Sequence, residues 1–181
     1  MKFFKTALAV AAIVVGGVTV AVAQADDAAA TYASLKTFNG YWVGSAVTDC
    51  PKCGFDTPKF NLRIRVTSSG HAIVHEMGGA ATGEGPDHMG DVTVFYLEDG
   101  KVLGTHYCDA DSRSHLKAVS SDEPGTLAFE LVDVTGSTKF GYVSAMTFKS
   151  LSPDHHVEVL TFVLGNKQVI HATMDLQRVK P

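Results

Sequence analysis

Thr105-His106-Tyr107-Cys108 sets an imidazole, a phenol and a thiol on consecutive residues of a segment that otherwise alternates apolar and polar side chains. Imidazole and thiol offer proton transfer, nucleophilic attack or metal ligation, and a phenol offers a proton donor. Upstream, Cys50-Pro51-Lys52-Cys53 has the spacing of a redox pair. Redox reactivity needs the first thiol at a helix N-terminus, whereas this pair follows a strand-like run and precedes Gly54. A structural disulfide is the better reading, either within the loop or from one of these cysteines to Cys108. With three cysteines, one thiol is left over. A zinc site of cysteine pairs lacks its second pair.

Eight histidines are spread along the chain, and their positions differ in meaning. His155 and His156 follow Pro153-Asp154, a turn signal, and His88 falls in a glycine-rich loop, so solvent exposure accounts for all three. His75, His106 and His171 lie inside strand-like runs, where a period of two decides the face. His106 shares a face with Gly104 and Cys108, and Tyr107 shares one with Leu103 and Thr105. His171 falls with Val169 and Thr173, opposite Ile170, Ala172, Met174 and Leu176, so an apolar inward face turns it to solvent. Neighbours in a strand point to opposite sides, so neither His75-Glu76 nor His106-Tyr107 is a dyad by itself. Hydrolase or isomerase chemistry at His106 and Tyr107 requires a carboxylate such as Glu76 or Glu158 from another strand. The sequence has no nucleophile elbow, phosphate-binding loop or zincin motif.

The elements that must position these groups are strands. Asp91 to Cys108 reads as two alternating runs meeting at Asp99-Gly100, a dipeptide that tolerates the positive φ of a two-residue hairpin turn. Similar runs recur at Gly40 to Thr48, Phe60 to Thr67, Ala72 to Met77, His115 to Ser120, Thr126 to Val132, Gly141 to Ser150, His155 to Leu164 and Lys167 to Val179. No amphipathic helix of useful length follows Gly40. About ten strands with short connections predict an all-β, single antiparallel up-and-down barrel, because closure removes the two exposed edges. A sandwich needs longer crossovers. The glycine-rich stretch Gly78 to Gly90 reads as a loop at the barrel mouth.

Lys2 and Lys5 precede an apolar run from Thr6 to Val22 that ends in small residues, the pattern of an export signal cleaved near Ala23 or Ala25. The expected organisation is a signal segment over 1–23, a lead-in or short helix over 24–37 and the barrel over 38–181. Uncleaved, the run approaches the length of a membrane anchor. The chain carries 15 basic and 19 acidic residues, and losing Lys2 and Lys5 makes it more acidic, which argues against a nucleic-acid partner.

Leu35 to Gly44, LKTFNGYWVG, resembles the opening of calycin barrels, the group of lipocalins, fatty-acid-binding proteins and nitrobindin-like proteins. The resemblance implies that Trp42 plugs the barrel floor and that Arg178, in MDLQRV, stacks over it. Nitrobindin-like barrels hold haem through one histidine near the C-terminal end, which makes His171 the residue implied for a haem-binding alternative, against its face. The turn followed by THYC is similar to that of a group of exported bacterial lipocalin-like proteins. Here the next residues are Asp109 to His115, DADSRSH, a departure from the Asn, Gln, Pro and Arg usual in that group.

The expectation is therefore an exported, periplasmic or extracellular, calycin-like barrel that binds a small, largely apolar molecule. The residues expected to line its lumen are Tyr107 or His106, whichever of the two faces inward, with Phe95, Tyr142, Met146, Phe148 and Phe162. Enzyme chemistry at His106 and Tyr107, or a filled barrel that docks a protein partner, are the rival readings.

Overall fold

The computed structural model describes residues 19–53, 56–79 and 90–180, with side chains in the first helix from residue 27. The N-terminal apolar run up to residue 18 and the loop 80–89, with His88, lie outside the described residues.

Ten strands follow one helix: α1 (Thr19–Lys36), β1 (Gly40–Thr48), β2 (Thr57–Thr67), β3 (Ala72–Gly79), β4 (Asp91–Glu98), β5 (Lys101–Tyr107), β6 (Ser112–Val119), β7 (Thr126–Gly136), β8 (Gly141–Ser152), β9 (His155–Leu164) and β10 (Val169–Arg178). Each pairs antiparallel with its neighbour in sequence, and β10 returns to β1, so the barrel is closed. Asp99 and Gly100 both have positive φ, 48° and 68°, the backbone of the hairpin turn that their types predict. The register that follows pairs Glu98 with Lys101 and Thr93 with His106.

β6 begins at Ser112, three residues before the apolar pattern announces it, because its first inward residues are the buried Ser112 and Ser114. Small polar residues facing inward leave no hydrophobic period to detect.

Alternation builds the interior. On β9 the buried residues are His156, Glu158 and Leu160, and on β10 they are Ile170, Met174 and Leu176. One half of the barrel is filled by an aromatic cluster. The ring centroids of Phe95 and Phe129 are 4.9 Å apart, those of Phe95 and Phe148 5.8 Å, and those of Phe129 and Phe148 6.0 Å. Edge and tilted contacts at these spacings suit the ring quadrupoles. Tyr32 and Leu35 of α1 and the following Phe38 join this core, so the helix closes the filled end of the barrel. Trp42 lies beneath it, donating its Nε1–H to the Phe38 carbonyl at 2.8 Å.

The Arg178 guanidinium stacks 4.1 Å from the centroid of the Trp42 ring. It also donates to the carbonyls of Thr37 at 3.0 Å, Pro153 at 3.1 Å and Asn39. Carbonyls at the end of a helix favour a cation. Gly40, two residues before Trp42, has φ +146°, and a Cβ there would stand 2.6 Å from Nη1 of Arg178. A glycine is thus needed both for the backbone and for the arginine.

Among the described residues no helix is long and apolar enough to cross a membrane.

Candidate functional site

Opposite the aromatic floor the barrel is hollow. A cavity of about 360 Å³ opens at the mouth, walled by the apolar side chains of Ala46, Phe60, Met77, Leu160, Phe162 and Met174 among others, with Asp91, Cys108 and Asp109 as its polar edge. The β4 and β5 hairpin supplies that edge. Asp91 opens β4 and Cys108 follows β5, and the Asp109 N–H donates to Asp91 Oδ1 at 2.8 Å, tying the strand start to the turn.

His106 stands behind these groups, wholly buried. Its Nδ1 is 2.9 Å from the Thr93 hydroxyl, which in turn donates to the Met146 sulfur at 3.9 Å. The hydroxyl meets Nδ1 as donor or as acceptor according to the tautomer of the ring, and either fits the 2.9 Å contact. Among the described residues Nε2 has no hydrogen-bond partner, and the nearest carboxylate oxygen, Asp91 Oδ2, is 3.7 Å away.

Electrostatics follow from burial. Removal from water pushes Asp91 up to about 6 and His106 down to about 3, helped by the charge of His75. Burial, then the charges of Asp91 and Asp109, push the Cys108 thiol up to about 11. At neutral pH the imidazole is neutral and the thiol protonated, the opposite of an activated cysteine nucleophile.

A second polar group lies deeper. Glu158, wholly buried, receives His75 Nε2 on one oxygen and His156 Nε2 on the other, each at 2.8 Å. A carboxylate only accepts, so both Nε2 atoms carry hydrogens. The imidazole of His156 also meets the Trp42 ring edge-on at 4.1 Å between centroids.

Several expectations from sequence need correction. Tyr107 is 46% exposed and lies on the outer surface, because it is out of phase with the inward His106. Phe95, Met146 and Phe148 point inward but are packed into the core rather than lining the cavity. Tyr142 and Phe162 line it. His156 is buried, not solvent-exposed. The turn is only Pro153-Asp154, and β9 starts at His155, so the next residue already points inward. His171 is half-exposed and bonds Asp49 through Nδ1 at 2.7 Å, which leaves the haem alternative without its implied ligand. Glu76 is held by Arg65 at 2.9 and 3.0 Å and Glu158 by two histidines, so neither meets a His106-Tyr107 pair.

Cys50 and Cys53 form a disulfide within the loop, and Cys108 is the free thiol. Asp91 belongs to no sequence motif, yet the Asp99-Gly100 register, counted outward from Glu98 and Lys101, brings it level with Cys108. Nothing local in sequence announces that His75, Glu158 and His156 meet, since β3 and β9 face each other across the lumen.

No family model matches the chain, and no curated protein matches it. Among solved structures it is similar to Rv2717c from M. tuberculosis, with a TM-score of 0.58 and 12% identity over 83% of this chain and 98% of that one. A protein of unknown function from the DUF3598 family of Nostoc punctiforme PCC 73102 aligns at a TM-score of 0.39 and 12% identity, over 80% of this chain and 48% of that one. At such identities the first likeness speaks to fold alone, and it agrees with a closed antiparallel barrel.

Proposed function

We propose that the protein binds a small, largely apolar molecule in the mouth-end cavity, with any polar end of that molecule turned to Asp91, Cys108 and Asp109. The observation that carries this reading is the division of the interior. One half is filled by Phe95, Phe129 and Phe148, and the other leaves about 360 Å³ walled by Phe60, Leu160, Phe162 and Met174. Ligand pockets run from roughly 300 to 1,000 Å³ and combine apolar walls with a few placed polar groups. The volume favours a small ligand. Binding without chemistry also fits the protonated Cys108 and the neutral His106.

The reading includes export. Its support is the Lys2, Lys5 and apolar pattern at the N-terminus, together with the Cys50–Cys53 disulfide, a bond that persists in oxidising compartments.

Titration of the purified protein with a fluorescent fatty-acid probe and with an anilinonaphthalene dye tests the binding. Saturation at one site, with displacement by short apolar acids or alcohols, is the expected result. Failure of both probes to saturate, or probe signal only from unfolded protein, removes the proposal.

A further inference from the structure

We infer that Asp91, His106 and Cys108 form a binding site for a divalent transition metal of the zinc class. One donor atom from each, a carboxylate oxygen, an imidazole nitrogen and Sγ, lies within 4.8 Å of the other two. In a four-coordinate zinc site, bonds of about 2.0–2.3 Å put ligand atoms about 3.3–3.6 Å apart. His106 Nε2 and Asp91 Oδ2 are already at 3.7 Å, too long for a hydrogen bond. Small side-chain rotations of Asp91 and Cys108 close the remainder.

The histidine supplies an independent reason. Its Nε2 is fully buried and has no partner among the described residues, an arrangement that wastes a polar atom unless something else meets it. Its Nδ1 lies 2.9 Å from Thr93 Oγ1, a hydroxyl that accepts the Nδ1–H of the tautomer a metal at Nε2 requires. Metal-ligating histidines are oriented in this way, with the other ring nitrogen donating to an outer group that fixes the tautomer. In that tautomer Thr93 holds the ring while Nε2 faces the aspartate at 3.7 Å.

The donor set decides the metal. A thiolate with an imidazole suits zinc, whereas calcium and magnesium require oxygen donors throughout. Three protein ligands leave a fourth position, as in open zinc sites. Asp91 and Cys108 line the cavity, so that position faces it and takes water or an anionic ligand group. Binding forms a metal–sulfur bond and releases the Cys108 thiol proton to solvent. The site stands whether or not an apolar molecule occupies the cavity.

Tag-free protein stripped with chelator, its Cys50–Cys53 disulfide intact, is titrated with Co²⁺ and then with Zn²⁺. One equivalent of cobalt should produce a thiolate-to-cobalt charge-transfer band in the near ultraviolet and visible bands of a four-coordinate ion, both bleached by zinc. Zinc at about 100 times its Kd should raise Tm by roughly 5–10 °C. Cys108→Ser should lose the charge-transfer band. Asp91→Asn, which keeps the acceptor for Asp109, should weaken binding at least tenfold while leaving the metal-free Tm at or above that of the parent. The Cys50→Ser/Cys53→Ser double variant should retain the band. Absence of the band from the parent protein, or its survival in Cys108→Ser, overturns the inference, as does unchanged zinc affinity in Asp91→Asn.

Discussion

Nε2 of His75 on β3 lies 2.8 Å from Oε2 of Glu158 on β9, a contact that spans the lumen between strands that are not neighbours in the sheet. His156 holds the other oxygen of the same carboxylate. Burial alone pushes the Glu158 carboxyl up, and the two imidazoles more than offset it, holding it near 2 against an ordinary 4.5. A carboxyl whose pKa is depressed by folding stabilises above its unfolded value and loses that contribution as pH falls through its folded value. The window here is about pH 4.5 down to 2.

Glu158→Gln should accordingly cost about 3–5 kcal/mol at pH 7, the cost of breaking a buried ionic group on one side. Urea unfolding of parent and variant at pH 7, 4 and 2.5 checks the sign. The gap should hold from pH 7 to 5 and shrink below. A gap of the same size at pH 2.5 means that the lost group is acting through packing and not through its charge.

Arg178 invites a second substitution. It joins β10 to the helix end and to β1 by stacking on Trp42 and bonding three carbonyls. Arg178→Met keeps the aliphatic stem and removes the planar cation, and should cost about 2–3 kcal/mol from the lost cation–π contact and charge-assisted hydrogen bonds. Arg178→Lys should recover less than half of that, since an ammonium cannot reproduce the fork. Trp42 is the single tryptophan of the chain, so its fluorescence during denaturant unfolding reports the floor directly. Equal midpoints for parent and Arg178→Met would contradict a bonding role for the guanidinium.

How far these features can be read in sequence depends on how local they are. The hairpin at Asp99-Gly100 follows from turn chemistry and period two, which act over a few residues, whereas the inward phase of His106 does not, because Leu103 and Tyr107 make the opposite face of β5 look the more apolar. From the same register Asp91 opposite Cys108 was readable in principle. A buried His156 was not, because a turn of two residues and a turn of four look alike in Pro153-Asp154-His155-His156. The His75–Glu158 bond depends on barrel curvature, which no short segment encodes, and polar side chains on an inward face disguise a core position as a surface one. Tyr107 shows the opposite error: chemical richness suggested a site, and alternation, which only separates it from His106, did not say which of the two faces outward.

Ala172 offers a test of the cavity that spares its polar edge. It faces inward on β10 and lines the mouth-end space. Ala172→Phe fills much of that space with apolar atoms. Filling an existing void raises stability or leaves it within about 1 kcal/mol, whereas overpacking costs about 1–3 kcal/mol. The expected outcome is an unchanged or raised Tm together with loss of probe binding by tenfold or more. Full probe affinity in a folded Ala172→Phe protein would place binding elsewhere.

The Cys50–Cys53 disulfide should contribute little to holding the barrel. It closes a loop across a sequence separation of three, within the short turn Pro51–Cys53, none of whose residues is buried. Stabilisation through chain entropy grows with the logarithm of loop length, and a loop this small gives about 2 kcal/mol at most. Closure of β1 on β10 and the aromatic core are independent of it. Reduction, or Cys50→Ser with Cys53→Ser, should lower Tm by no more than about 8 °C. The far-ultraviolet strand spectrum should be unchanged. Calorimetry with and without reductant measures this. Cooperative unfolding on reduction at 25 °C would mean that the β1–β2 loop, through its bonds from Asp49 to β10 and from Asp56 to Thr48, holds the mouth of the barrel together far more firmly than its exposure implies.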